Sequence, residues 1–163
     1  MKGEVMIIRY MEDLLVLDKW VRKLIRLHFS RCNSWADVRK PVEIRSHLRT
    51  LDGKEVDLMI TDGETTIIVE LKSYDIEGVI RQALERRRHA DYIYVCLNLP
   101  AHVIVRELKK YEEAVRSGIG FISADDECIV LRAYPQRRHR RKCRKEAEPA
   151  GDVQILDLLK GGE

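Results

Sequence analysis

No run of about eighteen apolar residues occurs in this chain of 163 residues, so no segment is composed to cross a bilayer as a helix. The opening MKGEVMIIRYMEDLL meets acidic residues too early to serve as the apolar stretch of a signal peptide. A cytoplasmic protein with no membrane partner is expected. Cysteines are few and scattered: Cys32, Cys96, Cys128 and Cys143 form no CxxC pair that would suggest zinc and no dense framework that would suggest secretion. They are expected to be reduced thiols. Internal repeats are absent, which excludes a solenoid, and the only low-complexity tract is a basic stretch near the C-terminus.

What is present suits one ordinary domain. The chain is 45% hydrophobic, enough for a core, and a second domain is not expected. Its net charge of +3 is mild, but 35% of residues are charged, so the distribution of charge matters more than its sum. Residues 1–135 are expected to form the domain. Residues 136–163 form a basic arm, QRRHRRKCRK, and an acidic tail with one short apolar run whose Val153, Leu156 and Leu159 suit docking on the body or on a protein partner.

Apolar residues recur at three- and four-residue steps from Tyr10 to Phe29 and predict an amphipathic helix. VEIRSHLRT alternates strictly and reads as a half-buried strand. Asp52-Gly53 and Asp62-Gly63 bracket KEVDLMIT, and ETTIIVELKS follows, giving a three-strand antiparallel meander. DIEGVIRQALERRRHA reads as a helix, DYIYVCLNL as a buried strand, HVIVRELKKYEEAVRSG as one helix ending before Gly118, and GFISA and CIVLRAY as two short strands. The class is α/β, a mixed central sheet flanked by helices.

The second hairpin carries an unusual set of charges. With a two-residue Asp62-Gly63 loop, Val56 pairs with Val69, Leu58 with Ile67 and Ile60 with Thr65, and that face belongs to the core. The other face collects Glu55, Asp57, Met59, Ile68, Glu70 and Lys72, with Glu55 across from Glu70 and Asp57 diagonal to it. A three-residue first loop, Leu51 to Gly53, sets His47 opposite Asp57 and Arg49 opposite Glu55; it is preferred because it keeps polar residues with polar residues, whereas a two-residue loop would put Leu48 against Asp57. Like charges facing each other on a sheet are unfavourable. Either these are solvated residues paired with Arg45, Arg49 and Lys72, or a hard cation such as Mg²⁺ or Mn²⁺ compensates them. For the set as a whole the second reading is favoured, with Lys72 placing positive charge beside a metal-bound water or a reacting phosphate.

Asp57, followed on the next strand by Glu70-Leu71-Lys72, resembles the PD-(D/E)xK nuclease superfamily, and the likeness in element order runs over roughly residues 10 to 130. The helix and buried strand after the motif are similar to those of archaeal Holliday-junction resolvases and restriction-endonuclease-like proteins. Val56 stands where the motif name has Pro. The resemblance implies a restriction-endonuclease-like fold in which Asp57 and Glu70 ligate the metal, with the Leu71 carbonyl helping, and Lys72 acts on water or developing charge. It further implies Gln82 near the site and an additional acidic residue from the first helix, Glu12 or Asp13. Glu55 is either an outer ligand or a surface residue relieved by Arg49, and His47 either contacts substrate or merely pairs.

The implied activity is metal-dependent hydrolysis of phosphodiesters, with DNA the expected substrate on the ground of that resemblance and RNA left open; branched or processed DNA and a homodimer are expected alongside it. Arg45, Arg49, Arg81, Arg86, Arg87 and Arg88, with Arg137, Arg138, Arg140 and Arg141 of the arm, suit a phosphate-tracking surface, and the ERRRH run equally suits a solvated helix end whose cations offset the macrodipole. The alternative is a catalytically silent nucleic-acid-binding or assembly module of the same fold. His28, on the apolar side of the first helix, and Cys96 and Cys128, in apolar strands, are expected to be core residues.

Overall fold

The computed structural model describes residues 5–8, 17–29, 41–49, 55–72 and 75–136, and of positions 48, 49, 55 and 72 the backbone alone. Among these residues seven strands form one mixed sheet in chain order: β1 (Val5–Ile8), β2 (Val42–Arg49), β3 (Glu55–Thr61), β4 (Thr66–Lys72), β5 (Tyr92–Leu97), β6 (Gly120–Ser123) and β7 (Cys128–Leu131). Strands β1 to β4 run antiparallel, β4, β5 and β6 are parallel, and β7 returns antiparallel. Parallel neighbours need a crossover. Helix α2 (Ile76–Glu85) supplies the first, and α3 (Ala101–Leu108) with α4 (Glu112–Arg116) the second.

Two apolar layers sandwich the sheet. On one face α1 (Lys19–Phe29) buries Trp20, Val21, Leu24, Ile25 and Phe29 against Ile44, Ile60, Ile67, Val69 and Tyr94. On the other, Val79, Ile80 and Ala83 of α2, Ile104 of α3 and Ala114 of α4 pack with Ile68, Ile93, Val95 and Phe121. The expected α/β class, with a meander inside a mixed sheet and helices on its faces, is what is seen. Among the described residues no helix is long and apolar enough to cross a membrane.

Three expectations change. Strand β1 is an addition, since its four residues are too few to display a period, and among the described residues the first helix begins at Lys19 rather than near Tyr10. The single helix expected between the last parallel strands is two. Tight bonds from Lys110 N–H to the Glu107 carbonyl and from Tyr111 N–H to the Leu108 carbonyl, 3.0 Å each, close α3, and α4 starts after Tyr111. Ile104, Leu108, Tyr111 and Val115 nonetheless share one apolar layer, as their spacing implied.

The third change is register. Leu58 pairs with Val69, Met59 with Ile68, Ile60 with Ile67 and Thr61 with Thr66, two residues away from the expected pairing. The loop holds four residues rather than two, because the Asp62 carboxylate accepts the N–H groups of both Glu64 (2.9 Å) and Thr65 (2.7 Å). Gly63, at φ +93°, supplies the left-handed residue that this turn needs. A two-residue slide keeps each side chain on its face, yet it separates Glu55 from Glu70. Glu55 instead pairs with Arg49 of β2, as the three-residue first loop required.

Candidate functional site

The site lies where β3 and β4 part. Their ladder ends at Leu58 and Val69, whereas β3 stays paired with β2 as far as Arg49 and Glu55. Beyond the last rung Asp57 replaces a backbone bond: its Oδ2 accepts the N–H of Leu71 at 2.9 Å. The carboxylate therefore reaches toward β4 in the plane of the sheet, landing on the residue between Glu70 and Lys72.

A local twist makes this reach available. Strict alternation would put Val56, Leu58 and Ile60 on one face, but Leu58 and Ile60 pack on the α1 side and Val56 on the α2 side. The turnover occurs at Asp57. Across from it in β2, His47 has φ +52°, the left-handed region, and the regular pairing skips this one level between Ser46–Leu58 and Leu48–Val56. The sequence placed His47 level with Asp57, but the backbone irregularity there has no signature in the alternation of VEIRSHLRT.

Glu70 is 1% exposed, on the α2 side of β4. Its Oε1 lies 3.1 Å from Nε of Arg86, which is itself 8% exposed, an ion pair whose Nε–H is off the line of a hydrogen bond to that oxygen. Arg86 is positioned by the end of α2: its backbone N–H bonds the carbonyls of Gln82 (3.2 Å) and Ala83 (3.1 Å) as the helix closes. Its Nη1 also lies 3.4 Å from the Gln82 carbonyl and 3.3 Å from Oε2 of Glu85. The start of α2 is equally well defined. Asp75 caps the N–H of Gly78 at 2.9 Å, and a Cβ on Gly78 would collide with that capping carboxylate.

Arg86 is thus removed from the expected phosphate-tracking surface: its guanidinium is buried and engaged by Glu70. The signal was readable, because Arg86 falls seven residues after Val79 and three after Ala83, on the buried stripe of α2. The other basic residues divide. Arg87 and Arg88 are exposed; Arg81 is exposed and 3.8 Å from Glu77 one turn away; Arg45 is half-buried and 2.8 Å from Glu43. Gln82 is half-buried on α2 and meets the site through its carbonyl. Leu71 lies on β4, its backbone paired with Cys96. The side chains of Lys72, Arg49 and Glu55, and all of Glu12, Asp13, Arg137, Arg138, Arg140, Arg141 and the tail, lie outside the described residues.

Of the three residues expected in the core, Cys96 is buried, while His28 and Cys128 are half-buried. His28 shares a 2.7 Å hydrogen bond with the hydroxyl of Tyr94, and Cys96 is buried, which pushes its thiol up to about 12 and leaves it unreactive at neutral pH. Among the described residues, no three His, Cys, Asp or Glu side chains gather as a metal cluster. A cation at this site would draw on two carboxylates, Asp57 and Glu70, with the Leu71 carbonyl and water. That all-oxygen donor set is of the kind Mg²⁺ takes from proteins, and it offers nothing to a thiophilic metal. Comparison with profiles of known protein families, with curated protein sequences and with solved structures finds no match for this chain.

Proposed function

We propose that the protein is a metal-dependent nuclease of the restriction-endonuclease-like type that hydrolyses phosphodiester bonds of DNA. One observation carries the reading: the Asp57 carboxylate is tied to the backbone of Leu71, inside Glu70-Leu71-Lys72, at the point where the two strands separate. The order of elements supports it, since α1, the antiparallel β2, β3 and β4, the crossover α2 and the parallel β5 follow the order that the motif resembles.

Bound Mg²⁺ would polarise the scissile phosphate and lower the pKa of a water near it. Asp57 and Glu70 would hold it. The Leu71 N–H keeps the Asp57 carboxylate facing β4, which spares that side chain the entropy of being fixed at the moment of binding. Lys72, whose backbone continues β4 beside Leu97, would offer positive charge to a phosphate oxygen. The exposed Arg81, Arg87 and Arg88 would track the phosphate backbone and fix position rather than sequence.

A second reading has its own observation. Glu70 is almost fully buried and engaged by Arg86, as a carboxylate with a purely structural duty would be, and this favours a silent nucleic-acid-binding module. Plasmid, single-stranded and branched DNA, and RNA, incubated with Mg²⁺, Mn²⁺ or EDTA, separate the two. Cleavage should need the metal and disappear in Glu70→Gln and Lys72→Ala. Cleavage that survives EDTA or both substitutions sinks the nuclease mechanism, while salt-sensitive binding without cleavage moves the weight to the second reading.

A further inference from the structure

Arg86 stands between two carboxylates that differ sharply in access to water. Nε faces Glu70, whose side chain is 2% exposed, at 3.1 Å; Nη1 faces Glu85, whose side chain is 50% exposed, at 3.3 Å. A guanidinium cannot shed its charge inside a protein, so while it is buried it must keep an anionic or carbonyl partner. Resting on the nuclease reading of Asp57 and Glu70, this arrangement poses a problem of competition. A divalent cation and Arg86 would both claim the Glu70 carboxylate, and two cations on one carboxylate repel.

We propose that Arg86 is a positioning residue that holds Glu70 while no divalent cation is bound and passes to Glu85 when a cation takes Glu70. The geometry provides for the exchange. Glu85 precedes Arg86 in the chain, already lies within ion-pair distance of Nη1, and sits at the solvent edge, so the guanidinium can withdraw from Glu70 without losing its counter-charge. The Gln82 carbonyl, 3.4 Å from Nη1, and the backbone bonds from Arg86 N–H hold the base of the side chain while its head moves. In the metal-free protein the same guanidinium offsets the charge of the buried Glu70 carboxylate. Glu85, which need touch neither metal nor substrate, thereby becomes a determinant of metal affinity.

Mn²⁺ is the probe, its free concentration followed by electron paramagnetic resonance during titration of the full chain. Glu85→Gln, at an exposed position, should weaken Mn²⁺ binding about tenfold, a size common for residues that orient a ligand from outside the coordination sphere. Arg86→Met, which removes the competitor, should tighten it by about the same factor, and Glu85→Gln should then have no further effect. In the wild type, the Arg86 Nε–H resonance should move as Mg²⁺ saturates the protein, a readout that needs no variant to fold. Equal Mn²⁺ affinity in wild type and Glu85→Gln, or an Arg86 resonance that Mg²⁺ leaves in place, overturns the exchange if Glu70→Gln still abolishes binding. Mn²⁺ bound equally well by Glu70→Gln and wild type removes the metal reading itself, and the exchange with it.

Discussion

Among the described residues each face of the sheet carries a polar pair with at least one buried member, and the two are built on opposite terms. On the α1 side His28 and Tyr94 share a 2.7 Å hydrogen bond, with the His28 ring 4.3 Å from that of Tyr92. On the α2 side Glu70 and Arg86 are an ion pair at 3.1 Å. Burying neutral groups that bond each other costs little, whereas each ion taken from water carries a penalty of several kcal/mol that attraction alone seldom repays. A fold that needed only cohesion would be served by the first kind of pair on both faces. The second kind is built on Glu70, the residue before the Leu71 whose N–H Asp57 accepts where two strands part, and that position is what makes a functional reading of its cost attractive.

The sharpest way to break the comparison is to remove one partner from each pair. Arg86→Met leaves Glu70 charged and buried, and should lower unfolding free energy by about 3–5 kcal/mol in urea denaturation. Glu70→Met with Arg86→Met, which removes both charges, should recover at least half of that loss. Tyr94→Phe removes a neutral bond and should cost only about 1 kcal/mol at pH 7. Equal losses from the two single substitutions would erase the distinction.

Alkali tests the neutral pair from another side. Burial pushes the Tyr94 hydroxyl from its ordinary 10.0 up to about 12, with the Ala133 backbone and the Arg132 charge pulling weakly the other way. The folded protein therefore holds this proton more tightly than the unfolded chain does. Between pH 10 and about 12 unfolding releases a proton, so stability falls as pH rises through that window, by roughly 2–3 kcal/mol in all. Below pH 10 the stabilisation is complete. In Tyr94→Phe this part of the alkaline slope should vanish, measured as denaturation midpoints from pH 9 to about 12.5.

How much of this was legible depends on which interactions set each feature. Strand alternation and helical stripes are set by burial, so β2, β5, α2 and the two layers could be read directly from apolar spacing. The first hairpin was legible as well, because keeping polar residues against polar residues selected the register that pairs Arg49 with Glu55, as the structure has it. The second was not, because one side chain, Asp62, captures two backbone N–H groups and lengthens the loop, an event no hydrophobic pattern records. Charge misled at Arg86 for a related reason. In a run of three arginines the basic character hides the helical phase, and only counting back to Val79 and Ala83 shows that the first of the three points inward.

The smallest expected change in stability is also the one that divides structure from chemistry at the candidate site. Asp57→Asn keeps an oxygen that can accept the Leu71 N–H, so the tie across the parting strands survives as a neutral bond, and stability should change by less than about 1 kcal/mol. What it removes is the negative charge. If Asp57 holds a cation, Mn²⁺ affinity and metal-dependent cleavage should fall by about a hundredfold in a protein whose denaturation curve is nearly unmoved. If the protein only binds nucleic acid, the same substitution takes a like charge away from the phosphate backbone, so salt-sensitive DNA binding should hold or tighten slightly. The substitution thus sends the nuclease and the silent module in opposite directions while the fold stands still, which neither Glu70→Gln nor Arg86→Met can do, because each disturbs the buried pair that the fold itself uses.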